Sequence, residues 1–285
     1  MHGTSLLHFS NSLIDCLSGG KPVLHYINET DVQIFPDQEL GALLIINCSL
    51  SSPLTDLQLP LGGTITLAFT DSVVVTNCEC SGVFLYSTSD VIVNQSRMSS
   101  GYVGCMMQYC ANCTIANCNA YYSKVNGFSA TQCSHCLFIN CTTSYSNTSG
   151  FWIDSPQSCL LSGCTATYNQ YGFYLTDLHP SLDGSEGCVL HRCSALNNQI
   201  GFYLSKCRCG CNLSSCWAEG SPRDYYIEGN WITEYASHSM IDCWAEGRPV
   251  RFLANQRIDG LRNQEYGSLF IICLLYTSPS PRDRG

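Results

Sequence analysis

A six-residue phrase returns through this chain at a nearly fixed interval. Cys113-Thr-Ile-Ala-Asn-Cys118 comes back as Cys136-Leu-Phe-Ile-Asn-Cys141 and as Cys159-Leu-Leu-Ser-Gly-Cys164. It returns again as Cys188-Val-Leu-His-Arg-Cys193 and Cys211-Asn-Leu-Ser-Ser-Cys216. The closing cysteines step by 23 (118 to 141), 23 (141 to 164), 29 (164 to 193) and 23 (193 to 216). After a polar stretch the first four phrases lead to Gly-Phe: Gly127-Phe128, Gly150-Phe151, Gly172-Phe173 and Gly201-Phe202. A period of this size, built on short apolar doublets without helical spacing, predicts a β-solenoid.

Parity within one repeat gives the coil. Cys136 and Phe138 are two apart and share a strand face. Cys141 and Thr143 form a second inward doublet, with Ala120, Ala166, Ala195, Ala218 or Ala245 at the second place in other coils. Phe151 and Ile153 form a third, matched by Phe173/Leu175 and Phe202/Leu204. Three short strands per coil follow, with Asn, Ser and Gly at the bends because Gly and Asn tolerate positive φ. Weaker coils extend the array through Leu44-Ile-Ile-Asn-Cys48, Val73-Val-Val-Thr-Asn-Cys78 and Val91-Ile-Val-Asn-Gln-Ser96, and onward to His238-Ser-Met-Ile-Asp-Cys243. The long step reads as a surface loop between Leu178 and Gly187.

The pattern resembles the right-handed parallel β-helix superfamily, the pectate-lyase-like fold, over residues 41–255. The resemblance implies an all-β solenoid with coils of about 22–23 residues. It implies no single activity, because that superfamily includes lyases, hydrolases, epimerases, tailspikes, adhesins and structural modules. By fold analogy alone it points to an extracellular or cell-surface setting. Residues 1–40 read as a weakly periodic cap or incomplete coil, and 256–272 as a continuation of the natural chain. Cys273 to Asp283 match the in-frame translation of a transposase-type sequencing adapter, so 273–285 are expected not to be natural protein. The chain then reads as a truncated environmental (metagenomic) fragment.

Charged residues make up only 12%, and the net charge of -9 argues against a nucleic-acid backbone as partner. No apolar run is long enough for a membrane span, and no signal peptide is visible. Twenty-one cysteines need an account. Cys113, Cys136, Cys159, Cys188 and Cys211 form one column, and Cys118, Cys141, Cys164, Cys193, Cys216 and Cys243 a second. The favoured reading is a ladder of free thiols filling a narrow core as small hydrophobes. Disulfides between coils compete, against the parallel Cβ vectors of in-register strands. Zinc at Cys110-x-x-Cys113 with Cys133-x-x-Cys136 is the third, and would require inward cysteines to turn outward. No cofactor is called for.

Two outward features are candidates for function. Ser129, Trp152, Tyr174, Tyr203 and Tyr226 occupy the outward place between inward residues, so four coils present an aromatic stripe suited to sugar rings. Asp154, Thr176, Ser205 and Glu228 take the next outward positions; packing beneath the 178–187 loop is the competing reading. The second feature is an echo, Cys216-Trp-Ala-Glu-Gly220 and Cys243-Trp-Ala-Glu-Gly247. It places Trp217/Trp244 and Glu219/Glu246 outward on neighbouring coils. Stacked carboxylates repel, which raises one pKa, and such couples serve as acid and base or nucleophile. Repeat similarity with each Glu paired to an Arg (Arg223, Arg248 or Arg251) is the alternative. Clustered Asp-Asp, Gly-His-Gly and Arg-x-Lys motifs are absent, and His135, His179, His191 and His238 are scattered as turn or surface residues. The sequence therefore favours a non-catalytic scaffold for glycan binding or adhesion, with polysaccharide or cell-surface glycan as partner. A polysaccharide lyase, epimerase or glycoside hydrolase is the alternative.

Overall fold

The computed structural model describes residues 16–35, 38–177, 187–207, 210–229, 238–254 and 265–272. These form a right-handed parallel β-helix of about nine turns. Its strands assemble into three sheets of eleven, ten and nine strands, with no helix among the described residues. One coil shows the plan. Leu137–Ile139 lies in the nine-stranded sheet, Thr142–Ser144 in the ten-stranded sheet and Ser149–Asp154 in the eleven-stranded sheet. The next coil repeats it in register, pairing Leu137 with Leu160, Thr142 with Thr165 and Trp152 with Tyr174. Pairing is parallel except at two places: Leu17–Ser18 with Lys21–Ile27, and Trp244–Ala245 with Arg248–Ala254. Lys21–Ile27 also pairs in parallel with Ala42–Ile46, so the largest sheet begins ahead of residue 41.

The three inward doublets meet inside. Cys136, Phe138, Cys141, Thr143, Phe151 and Ile153 are all fully buried. Because like residues recur in each coil, like side chains stack on one another. Phe128, Phe151, Phe173, Phe202 and Tyr225 form one ladder, with ring centroids 5.0, 4.9, 4.9 and 4.9 Å apart and planes within 13° of parallel. Each aromatic step contributes roughly 0.5–1.5 kcal/mol beyond area burial.

The second cysteine column behaves as small packing groups with one added role. Five of its thiols reach back to a carbonyl of the preceding coil: Cys118 to Val93 at 3.5 Å, Cys141 to Ile115 at 3.3 Å, Cys164 to Phe138 at 3.4 Å, Cys193 to Leu161 at 3.5 Å and Cys216 to Leu190 at 3.6 Å. That donation requires the S–H form. Elsewhere in the core, burial pushes the Cys80 thiol up to about 12 and the Cys105 and Cys188 thiols well above 9.0. The described cysteines are free, and all but Cys16 are buried.

The corners are made by residues in the left-handed region. Asn77, Asn117 and Asn140 hold one turn position with φ of 52°, 52° and 51°, and Gly163 takes it in the next coil at 65°. Asn117 Nδ2 donates to Asn94 Oδ1 at 3.0 Å, linking neighbouring coils at the bend. A second corner depends on close approach. Gly104, Gly127, Gly150, Gly172 and Gly201 form a column where a Cβ would strike the following coil. At Gly150 it would lie 2.7 Å from the Gly172 carbonyl oxygen and 2.8 Å from the Ala166 Cβ.

Two variants test this packing by thermal or denaturant unfolding. Cys141→Ala is expected to destabilise by ~1 kcal/mol through a small cavity, and mild thiol reductant to leave the wild type folded. Gly150→Ala is expected to cost more, ~2 kcal/mol or above, because backbone rather than a flexible side chain stands in the way. Unfolding by reductant, or a neutral Gly150→Ala, contradicts the packing described.

Candidate functional site

The eleven-stranded sheet carries the first candidate. Its register aligns Ser129, Trp152, Tyr174, Tyr203 and Tyr226 in one outward column. Ser129 is buried, and the four aromatic residues are half-buried. Tyr174 and Tyr203 stack at 4.7 Å and 13°, and Tyr203 meets Tyr226 at 5.2 Å and 39°. Tyr171 joins the group, 5.2 Å from Tyr174 and 5.4 Å from Tyr203. At one end the Arg223 guanidinium lies over the Tyr226 ring, 5.0 Å from its centroid. The Tyr203 hydroxyl donates to the Glu228 carboxylate. Partial burial raises the Tyr203 phenol above its usual value, and the Glu228 hydrogen bond adds to the effect.

The next column on this sheet departs from expectation. Asp154, Thr176 and Ser205 align with Glu228 as parity requires, yet the first three are buried rather than outward-exposed. Parity fixes which way a side chain leaves the strand; it says nothing of what then covers it. Residues 178–186 of the insertion lie outside the described residues.

The second candidate sits at the far end of the ten-stranded sheet. Trp217 pairs with Trp244 and Ala218 with Ala245, so the echoed phrases are in register. The indoles stack at 6.3 Å and 21°, both on the surface. Glu219 ends a strand, whereas Glu246 stands beyond its strand in a turn at φ 50°. Among the described residues neither is held by an arginine. Glu219 Oε2 accepts from Trp217 Nε1 at 3.1 Å, and Glu246 Oε1 accepts from the Gly220 amide at 2.6 Å. Arg248 pairs instead with Glu265 at 3.2 Å. Glu219, Glu246, Leu196, Asn197 and Gly220 line a shallow open recess.

A third carboxyl belongs to this corner. Asp224 takes the place of glycine in the column Gly127, Gly150, Gly172, Gly201. The fit is possible because Arg223–Glu228 is the last described strand of its sheet, so no further strand of that sheet meets its Cβ. Asp224 is 8% exposed, and its Oδ1 has no hydrogen-bond partner. Burial pushes its pKa up to about 6, and the nearby charges of Glu246 and Glu219 add to the rise, against a Ser221 backbone hydrogen bond.

Cys110, Cys113, Cys133 and Cys136 all point inward and are buried. Among the described residues no group of three or more His, Cys, Asp or Glu is arranged to hold a metal ion. His135 is a turn residue at φ 52°, and His191 Nδ1 lies 2.9 Å from Ser214 Oγ. His238 is not a surface residue: it is buried, and its Nδ1 accepts from the Cys211 amide at 3.0 Å. His179 falls outside the described residues.

The sequence also matches a family model, described as the right-handed beta helix region, over residues 81–243. The chain belongs to the right-handed β-helix family. No curated protein matches its sequence. Among solved structures, this β-helix protein is similar to a rhamnogalacturonan lyase at 15% identity and TM-score 0.46, covering 74% of this chain and 64% of that one. It is similar to the pectate lyase Pel9A at 14% identity and TM-score 0.46, covering 81% and 67%. It is also similar to the A-module of the Azotobacter vinelandii mannuronan C-5 epimerase AlgE4, at 11% identity and TM-score 0.40, covering 79% and 86%. The activities in those names are those proteins' own.

Two features of the β-helix surface escaped the sequence reading. Asp224 breaks a glycine column, a signal visible once Gly127, Gly150, Gly172 and Gly201 are extended by one coil. Tyr122, Tyr145 and Tyr168 recur at the period of the coil itself, 23 and 23 residues apart (122 to 145, 145 to 168), and they stack on the surface. Parity missed them because they sit in turns at φ of 54°, 56° and 56°.

Asp224 generates a pH prediction. Its folded pKa of about 6 lies above the ordinary 3.8, so the folded state binds the proton more tightly than the unfolded chain. Stability that is present below about 4 is then lost as pH rises to about 6. Asp224→Asn is expected to flatten that slope and to gain ~1 kcal/mol at pH 7. Urea unfolding of both proteins from pH 4 to 7 measures it; parallel pH profiles contradict it.

Proposed function

We propose that the chain is a non-catalytic β-helix module that holds a glycan, acting as a rigid scaffold for glycan binding or adhesion. The observation that carries this reading is the column Trp152, Tyr174, Tyr203 and Tyr226. Four aromatic side chains in four consecutive coils share one face of a sheet that cannot flex independently of the core beneath it. Aromatic rings with polar tips suit the apolar faces and hydroxyl rims of sugars. Because Tyr174, Tyr203 and Tyr226 are already held by ring contacts, binding orders few of these side chains. The β-helix family supplies the scaffold and leaves the ligand open.

A glycan array with wild type and Trp152→Ala tests the proposal. The wild type is expected to bind at least one glycan class, and Trp152→Ala to bind it roughly tenfold more weakly, the loss of one stacked ring. No binding by the wild type, or equal binding by both proteins, removes the platform and leaves the fold untouched.

One observation favours a second reading, a polysaccharide-active enzyme of the lyase, epimerase or glycoside hydrolase kind. Asp224 offers a buried carboxyl with a raised pKa beside the carboxyls of Glu219 and Glu246, and proton transfer at a sugar uses such a pair of carboxyls. In this reading Asp224 is the acid, and Glu219 or Glu246 the base or nucleophile. Depolymerisation assays on wild type, Glu219→Gln and Asp224→Asn decide it. Activity that both variants lose supports catalysis at this corner; full activity in either variant excludes that residue.

A further inference from the structure

The three turn tyrosines form a ladder distinct from the sheet platform. Tyr122 and Tyr145 stack at 5.2 Å and 11°, and Tyr145 and Tyr168 at 5.1 Å and 5°. They are 61%, 46% and 52% exposed, the most open stacked aromatic group among the described residues. All three stand in the left-handed region, where a bulky side chain is costly and Gly or Asn is not. The same turn column carries Asn197 and Gly220 in the next two coils, as the backbone bonds Tyr145 to Thr167, Tyr168 to Leu196 and Asn197 to Glu219 trace out. Tyrosine is thus placed where the backbone prefers something else, and its ring is left on the surface.

The ladder ends at a polar step. One face of Tyr168 is taken by Tyr145, and its other face carries no ring among the described residues. The column drops there to Asn197 and then Gly220, the floor of the recess that Glu219 and Glu246 also line. Asn197 is shorter than the tyrosine it follows, and its Oδ1 lies toward the next coil, 2.3 Å from where a Cβ on Gly220 would stand. The result is an aromatic end wall beside a floor of hydrogen-bond acceptors, about two coils long, or roughly 10 Å.

We propose that Tyr168, Asn197, Glu219 and Glu246 form a second glycan site that takes an uncharged polysaccharide at the open end of the tyrosine ladder. A sugar ring stacks on the free face of Tyr168, and its hydroxyls donate to the two carboxylates, which make strong charge-assisted acceptors. The charges select the class. Three carboxyls gather at this corner, counting Asp224, while Arg223 lies over Tyr226 and Arg248 pairs with Glu265. Lys124 follows Tyr122 by two residues, and Tyr122 is two coils back from Tyr168. A polyuronate therefore meets like charge at the recess, and a neutral glycan does not. This site is independent of the sheet platform and holds or fails separately from it.

Affinity gel electrophoresis tests it, with neutral polysaccharides (mixed-linkage glucan, xyloglucan, galactomannan) and with polygalacturonate in the gel. The variants are Tyr168→Asn, Tyr168→Phe, Glu246→Gln and Trp152→Ala. Asn already occupies this column at Asn197 with φ 55°, so Tyr168→Asn keeps the turn, and a thermal melt confirms folding. At least one neutral polysaccharide is expected to retard the wild type. Tyr168→Asn is expected to weaken that binding at least tenfold and Glu246→Gln several-fold, with Tyr168→Phe and Trp152→Ala near wild type. Retardation unaffected by Tyr168→Asn overturns the site, as does binding to polygalacturonate alone or to no polysaccharide at all. Loss in Trp152→Ala with retention in Tyr168→Asn also overturns it, and leaves the sheet platform standing.

Discussion

In-register stacking of parallel coils is the constraint on which everything else in this molecule depends. Each strand pairs with the equivalent strand of the coil before and after it, so each position sits about 4.8 Å above its own counterpart. A residue is then favoured where it can stack on a copy or near-copy of itself. Phenylalanine does so ring on ring, and cysteine does so by filling a narrow column while reaching back to a carbonyl. Glycine is required where one coil's Cα approaches the next coil's backbone. The sequence repeat is the imprint of this rule.

The same rule explains why thiols are so abundant without cross-linking. Neighbouring cysteines in a column stand just before strands that pair in register from coil to coil, so their Cβ atoms are held about as far apart as the strands, beyond what a disulfide accepts. The thiol is small enough for the taper between sheets and supplies a weak donor to the preceding coil, as between Cys164 and Phe138. Alanine fills the neighbouring column for the first of these reasons alone. A ladder of this kind needs neither oxidising conditions nor metal to form.

Stacking also governs the surface. An outward residue that recurs becomes a stripe, and the molecule carries two aromatic stripes of different character. On the eleven-stranded sheet Trp152, Tyr174, Tyr203 and Tyr226 lie half-buried among neighbours that hold them. On the turn column Tyr122, Tyr145 and Tyr168 stand free and stop abruptly. Where a column changes residue type the stack ends, and a face or a gap opens. Asp224 arises in that way: glycine gives way to aspartate in the last strand of its sheet, where a side chain at last has room. Functional chemistry on a solenoid is therefore sought where the repeat breaks.

The repeating part of the molecule was legible in the linear sequence. Period and parity identify the coil, the two cysteine columns, the phenylalanine ladder and the alignment of Trp152 with Tyr174, Tyr203 and Tyr226, because strand geometry has a fixed period of two. Local alternation cannot report what covers a residue or how a turn aims it. Asp154, Thr176 and Ser205 are outward by parity and buried in fact. Glu219 and Glu246 echo one another in sequence, yet one ends a strand and binds its own Trp217, while the other sits in a turn and binds the Gly220 amide. The tyrosine ladder and Asp224 belong to corners, where φ rather than alternation sets direction and the distance to the next coil sets the room available. Sequence alone determined the coil and its core, since both follow from a period imposed by backbone pairing. Tertiary structure decided which surface groups meet, since that depends on how separate coils close around each corner.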